Sequence, residues 1–203
     1  MILAERFYAQ PTLAVARDLI GKVLSHRTPE GTASGIIVET EAYVGEDDPA
    51  CHAAPGPTRR NRPLYGRPGR AYVYLNYGLH NLVNAVTEAV GFPAAVLIRA
   101  LEPLEGRALM QRRRAAAPWR AGPTYPRDID LCRGPGNLTR ALGISLAQNG
   151  ASLQTSPLTI EDRGLPPRNV VWSSRIGIRV GTEQQWRCCA ADSRYLSGRR
   201  IKR

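Results

Sequence analysis

Val38-Glu39-Thr40-Glu41-Ala42-Tyr43 sets two carboxylates and a phenol at alternate positions, and a short way downstream Tyr72-Val73-Tyr74-Leu75-Asn76-Tyr77-Gly78 adds a tyrosine cluster. Branched and aromatic residues favour extended backbone, in which residues two apart share a face. Ile37, Glu39, Glu41 and Tyr43 then line up, with the carboxylates roughly 6.5–7 Å apart by strand rise alone. Carboxyl pairs roughly 6.5–9.5 Å apart act as acid and base in inverting glycoside hydrolysis. One reading of Glu39 and Glu41 is therefore an acid/base pair. The other, preferred for Glu39, is a structural carboxylate that meets an arginine. Glu41, beside Tyr43 on the same face, is the better candidate for chemistry. Tyr72, Tyr74 and Asn76 share a second face, with Val73 and Leu75 opposite. Strand aromatics more often fill a core or pair across strands; close to Glu41 they also suit a flat ligand. Tyr77, at the tip of a turn, has little core to enter and suits wedging between stacked bases.

The surroundings are cationic. The 203 residues carry a formal net charge of +11, and Lys22 and Lys202 are the only lysines. Arginine offers a fork for phosphates and a flat face for bases, and such a surplus predicts salt-sensitive attraction to a polyanion. GC-rich codon usage also enriches arginine, but it does not remove the charge. Thr58-Arg59-Arg60-Asn61-Arg62, with Arg67 and Arg70, reads as a phosphate clamp in a loop. Arg112-Arg113-Arg114 at a helix end either adds to that surface or complements the helix dipole. A polyanion-binding surface, stacking rings and one acid or base together meet the needs of chemistry on a single base of a nucleic acid.

Other classes lack their residues. His26, His52 and His80 are too scattered for a metal site, and no Cys-x-x-Cys pair exists. Cys51, Cys132, Cys188 and Cys189 read as reduced, mostly buried thiols. The phosphate-binding loop, nucleophile elbow and dinucleotide glycine fingerprint are missing, so no cofactor and no metal are expected. Schiff-base chemistry on a sugar needs an amine; neither lysine lies near the carboxylate–tyrosine cluster, so bond cleavage is expected to use water alone. No stretch is long and apolar enough to cross a bilayer. The opening Met1–Arg6 lacks a signal-peptide layout, and a cytoplasmic location is expected.

The elements that must position these groups follow from the pattern. A helix is expected over Thr12–Ile20, closed by Gly21. Strands are expected from Val23, over Gly35–Tyr43, over Tyr72–Asn76 and Leu79–Val86 as a hairpin with Tyr77 near its tip, and over Ala94–Leu101. Residues 45–70 read as a long functional loop. Pro103 is expected to open a helix running to about Arg114, followed by a loop over 115–130 and a helix over Asn137–Leu142. Ile176–Val180 and Trp186–Ala190 read as strands, and 197–203 as a frayed basic tail. The sum is one α+β domain over residues 1–203: a mainly antiparallel, curved sheet with surrounding helices and a protruding hairpin.

At these residues the chain resembles the alkyladenine (3-methyladenine, or methylpurine) DNA glycosylase family. The matching motifs run in order: Ala16-Arg17-Asp18-Leu19-Ile20-Gly21, Ile37 to Tyr43, His52, Arg60-Asn61-Arg62, Tyr72-Val73-Tyr74, Tyr77-Gly78, Asn84, Arg99 to Gly106, and Gly134-Pro135-Gly136-Asn137-Leu138. The resemblance implies a monofunctional glycosylase that flips damaged purines (3-methyladenine, 7-methylguanine, hypoxanthine, ethenoadenine) from double-stranded DNA and leaves an abasic site. It implies that Glu41 activates water and that Arg99 helps hold that water. It casts Tyr43, His52 and Tyr74 as rings around the flipped base and Asn84 as a pocket group that rejects guanine. Tyr77 becomes the wedge, and Arg59, Arg60 and Arg62 backbone contacts; Ile178 matches a water-site residue more loosely. Cys51, Leu64-Tyr65 and Arg133 depart from the usual residues, which bears on base preference. The expected protein is a bacterial-type monomer, bound to DNA and not to membrane.

Two rivals carry the same residues. A non-catalytic basic RNA- or DNA-binding module explains the charge and the rings, but it gives no reason for a carboxylate on a polyanion-binding face. A carbohydrate hydrolase using Glu39 and Glu41 fits poorly with the basic surface. The glycosylase reading expects the Glu41 carboxylate to point into an aromatic-walled hollow beneath a cationic ridge.

Overall fold

The computed structural model describes residues 1–116 and 125–198. Its backbone is organised by two long strands, β2 (Gly31–Val44) and β5 (Ala94–Glu105). Residues 94–101 of β5 are all buried, and a strand covered on both faces needs the near-continuous apolar run that this segment has. Around this pair lie β1 (Val23–Thr28), β3 (Ala71–Asn76), β4 (His80–Val86), β6 (Gln154–Thr155), β7 (Leu158–Glu161), β8 (Val170–Ser173) and β9 (Arg187–Ala190). The main order is β3-β4-β5-β2-β1-β7-β6; β9 pairs with β2 and β8, and every pairing is antiparallel. The sheet curls into a half-barrel, and with its few helices it makes a single α+β domain.

Helix α1 (Glu5–Tyr8) packs on α2 (Thr12–Asp18), and α2, α3 (Arg107–Ala115) and α4 (Pro135–Leu142) pack against the sheet. Leu19, Ile37, Ile98, Leu101, Met110, Leu138 and Leu142 form the fully enclosed centre of the main core. A second cluster joins Cys51, Leu64, Tyr72, Val86 and Ala95, and Tyr43 and Tyr74 lean on it. All four cysteines are free and buried.

β3 and β4 pair from Ala71↔Ala85 to Asn76↔His80 around Tyr77, and α2, β1, β2 and β9 also match the pattern read from sequence. Four expectations change. Pro103 stays in β5, opposite Gly35, because pairing with β2 outlasts the apolar run; the chain turns only at Gly106 (φ 73°), and the helix begins at Arg107. α4 starts at Pro135, whose ring is suited to a first helical turn. Ile176–Val180 is not a strand: Gly177 bends it with φ 79°, and the Ile176 amide is spent on a side chain. Ser197 is not frayed but buried, with its amide on Glu39. The long loop also holds a 3-10 turn, Arg62–Tyr65. Residues 117–124 of the expected loop and 199–203 of the expected tail lie outside the described residues.

Candidate active site

Irregular register on the central pair builds the site. Ile37 pairs with Leu101 but Glu39 with Ala100, and Thr40 then pairs with Ile98. Val38 and Arg99 are thus the residues skipped on either strand. A bulge re-aims the side chain it carries. Arg99 reaches both carboxylates: Nε donates to Glu39 Oε1 (3.0 Å) and Nη1 to Glu41 Oε2 (3.1 Å). Glu39 is fully engaged, since Arg187 Nε (2.7 Å) and the Ser197 hydroxyl (2.8 Å) also donate to its Oε1. The structural reading of Glu39 agrees with this geometry. No acid/base pair is open here.

Glu41 accepts three hydrogen bonds. The Ile176 amide donates to Oε1 (2.7 Å); the Tyr43 hydroxyl (2.9 Å) and Arg99 share Oε2. The carboxylate has 0% exposure. This corrects the expectation that it points openly into a hollow. Three polar donors converge on its two oxygens, and they stand between it and the cavity. Burial raises its pKa, against the opposing pull of Arg99, the Ile176 amide and Tyr43.

That cavity, of about 560 Å³, is lined by all three partners of Glu41: Tyr43, Arg99 and Ile176. The carboxylate therefore sits one side chain behind the wall. A carboxylate offers about four lone-pair directions, so three donors leave one acceptor direction unused.

Tyr72, Tyr74 and Asn76 line one side of the cavity together, while Val73 enters the core, as strand alternation requires. His52 stacks edge-on against Tyr74 at 4.4 Å between centroids, and its Nδ1 is 2.9 Å from the Tyr72 hydroxyl. Burial, then Arg60, lowers the pKa of His52, which keeps it neutral near pH 7. Burial raises that of Tyr72 to about 12. Asn84 donates to the Tyr72 carbonyl (2.9 Å) and also lines the cavity. Ile178 does too, as do Cys51 and Leu64, two of the unusual residues. Tyr77 is 83% exposed at the rim, with φ 49°.

Arg59, Arg60 and Arg62 are exposed. Arg60 also donates to the Leu75 carbonyl (3.3 Å) and lies over the Tyr74 ring, so it braces the aromatic wall as well. Arg112–Arg114 does not act as one patch: Arg113 pairs with Glu30, and the buried Arg114 donates to the Leu131 carbonyl.

Sequence reasoning missed three groups. Asn61 is 1% exposed and donates to the His52 and Gly56 carbonyls (2.8 Å each), which folds the loop under His52. Asp48 and Arg175 form a buried bidentate pair. Asn61 was visible inside the motif Arg60-Asn61-Arg62; the other two carried no local signal.

A curled antiparallel sheet thus carries an aromatic cavity, with a carboxylate behind its wall and arginines beside it. A profile of the family described as "Methylpurine-DNA glycosylase" matches residues 6–194. The protein from Chlorobium phaeobacteroides (strain BS1) is 48% identical over 98% of this chain and 96% of its own length. That from Rubrobacter xylanophilus is 49% identical over 92% and 95%, and that from Methanocella arvoryzae 45% over 98% and 96%. All three carry the name "Putative 3-methyladenine DNA glycosylase". The chain belongs to the methylpurine-DNA glycosylase family, and it is a hydrolytic DNA N-glycosylase of alkylation repair. No helix among the described residues is long and apolar enough to cross a membrane.

Proposed function

We propose that this glycosylase draws a damaged purine out of duplex DNA into the cavity bounded by Tyr43, His52 and Tyr74, and cleaves its glycosidic bond with a water activated by Glu41. The observation that carries this reading is the convergence of Tyr43, Arg99 and the Ile176 amide on Glu41, because all three also line the cavity. The lesions are 3-methyladenine, 7-methylguanine, hypoxanthine and ethenoadenine. Unstacking a nucleotide costs a few kcal/mol, least at damaged bases. Stacking on the rings returns about 1–3 kcal/mol per base, and Tyr77 fills the gap left behind. Arg59, Arg60 and Arg62 hold the backbone.

In the chemical step the water oxygen bonds to C1′ as its proton passes to Glu41. The electrons of the broken bond return to the purine nitrogen. An alkylated, cationic purine leaves as a neutral molecule. A neutral purine must gain a proton, and His52, kept neutral by burial, does not supply it. Asn84 at the cavity wall disfavours guanine through its exocyclic amine. Lys22 is salt-bridged to Asp162 (2.5 Å) and absent from the cavity lining, which supports a product with an intact strand. We propose further that the enzyme acts as a monomer, in the cytoplasm at the nucleoid of a bacterial-type cell.

The test is Glu41→Gln. The variant binds lesion duplex as the parent does and loses excision by about a thousandfold, within the range of a general base. The readout is abasic-site formation on 3-methyladenine- or hypoxanthine-containing duplex. Full activity of the variant overturns the reading.

A further inference from the structure

Glu41 has three partners, and one side chain holds two of them. Arg175 lies 4.8 Å from the Tyr43 ring centroid and immediately precedes Ile176 in the chain. Its Nη1 donates to the Ala42 carbonyl (3.0 Å), next to Glu41, and its Nη2 to the Gly181 carbonyl (3.2 Å). Trp186 packs on the guanidinium at 5.0 Å. Asp48 fixes the whole group through two bonds of 2.6 and 2.8 Å. The same carboxylate accepts the amides of Val44 (3.2 Å) and Ala50 (3.1 Å), and the Asp48 carbonyl accepts that of Cys51 (2.9 Å). Three pieces of cavity wall therefore meet at this pair: the end of β2, the approach to His52, and residues 175–181.

We propose that Asp48 and Arg175 are positioning residues for the base-excision step, clamping the Tyr43 hydroxyl and the Ile176 amide onto Glu41. This rests on the reading of Glu41 as the base. The fold alone gives a weaker account. Both side chains have 0% exposure, and Arg175 Nε is buried with no partner. Apolar residues of similar volume often stabilise a protein as well as a buried ion pair does. Residues 175–181 have no strand partner, so the pair supplies order that the sheet does not. The charged and titratable groups around Glu41 are Arg99 from β5, Glu39 and Tyr43 from β2, Tyr74 from β3, Cys189 and Arg187 from β9, and Arg175 itself. Loosening Tyr43 and Ile176 removes two donors to the ionised carboxylate and leaves the rest in place, so the carboxylate becomes harder to ionise.

The experiment uses Asp48→Asn and Arg175→Lys in the full chain. Single-turnover excision of 7-methylguanine is followed across pH, per active site, alongside lesion-duplex affinity by anisotropy. Expected are a rate loss of about tenfold or more at pH 7, affinity within about threefold, and an acid limb moved to higher pH. Adding either substitution to the Glu41→Gln enzyme then costs nothing further, because the pair acts through Glu41. Lower thermal stability with an unchanged rate and acid limb overturns the proposal. If Asp48→Asn fails to fold, Arg175→Lys carries the test, since it keeps the charge but cannot hold Ala42 and Gly181 together. An active Glu41→Gln enzyme sinks the underlying reading; an inactive one beside normal Asp48 and Arg175 variants sinks this inference alone.

Discussion

Glu41 has to be ionised to take a proton, yet burial raises its pKa above the usual 4.5. Excision of a cationic purine should therefore fall away on the acid side with a midpoint above 4.5. Single-turnover rates on 7-methylguanine duplex measure it directly, and a limb at or below that value counts against Glu41 as the base. The same shift has a consequence for stability. A carboxyl whose folded pKa lies above its unfolded one favours folding when protonated, and this contribution fades as pH rises through the folded pKa. Gln stays neutral throughout. Glu41→Gln is therefore expected to be at least as stable as the parent at pH 7–8, with the two denaturation midpoints converging below pH 4.5. An enzyme that gains stability as it loses its base has spent folding energy on the site.

At the level of elements, two backbone positions serve different ends. Tyr77 joins β3 to β4 with φ 49°, a left-handed conformation that costs a non-glycine residue about 1–2 kcal/mol. The strain presents an exposed ring where glycine would turn more easily. Tyr77→Gly should keep stability within about 1 kcal/mol, strain relief offsetting the greater freedom of the unfolded chain. Its excision rate should fall about tenfold or more, the equivalent of about 1.4 kcal/mol in the flipping step. Thermal melts with excision kinetics on one sample check both halves. Gly106 is purely architectural: at φ 73° a Cβ would lie 2.3 Å from the Thr32 carbonyl oxygen. Gly106→Ala should destabilise by more than about 1 kcal/mol and leave the rate per active site unchanged, as read by denaturation and active-site titration.

Across the whole molecule, the net charge of +11 should make DNA binding fall steeply with salt. Removing one arginine–phosphate pairing makes the slope of log K against log salt shallower by about 0.9. Arg59→Gln and Arg62→Gln should each reduce it by about that amount and leave excision of bound lesion unchanged. Arg60→Gln should also slow excision, because Arg60 braces Tyr74. Anisotropy titrations at several salt concentrations, run beside excision kinetics, separate the two behaviours; three equal effects would deny Arg60 its second role.

The strands that carry the site were legible without coordinates. Alternation has a period of two, so Tyr72, Tyr74 and Asn76 had to share a face once that segment was extended, and Gly21 marks a chain turn by its own conformational freedom. The motif order was legible too, because each motif is local. What the sequence could not display depends on contacts between distant positions. Arg99 reaches both glutamates because the register slips on either side of it, and a slip belongs to a pair of strands. Ile176–Val180 looked like a strand because its residues suit one, but the Ile176 amide found Glu41. Asp48 and Arg175 lie 127 positions apart, so only the closed fold brings them together. Local residue types thus determined which chemical groups this protein owns; tertiary packing decided that the carboxylate is caged by three donors and does not stand open, because burial and hydrogen-bond geometry are properties of the assembled chain.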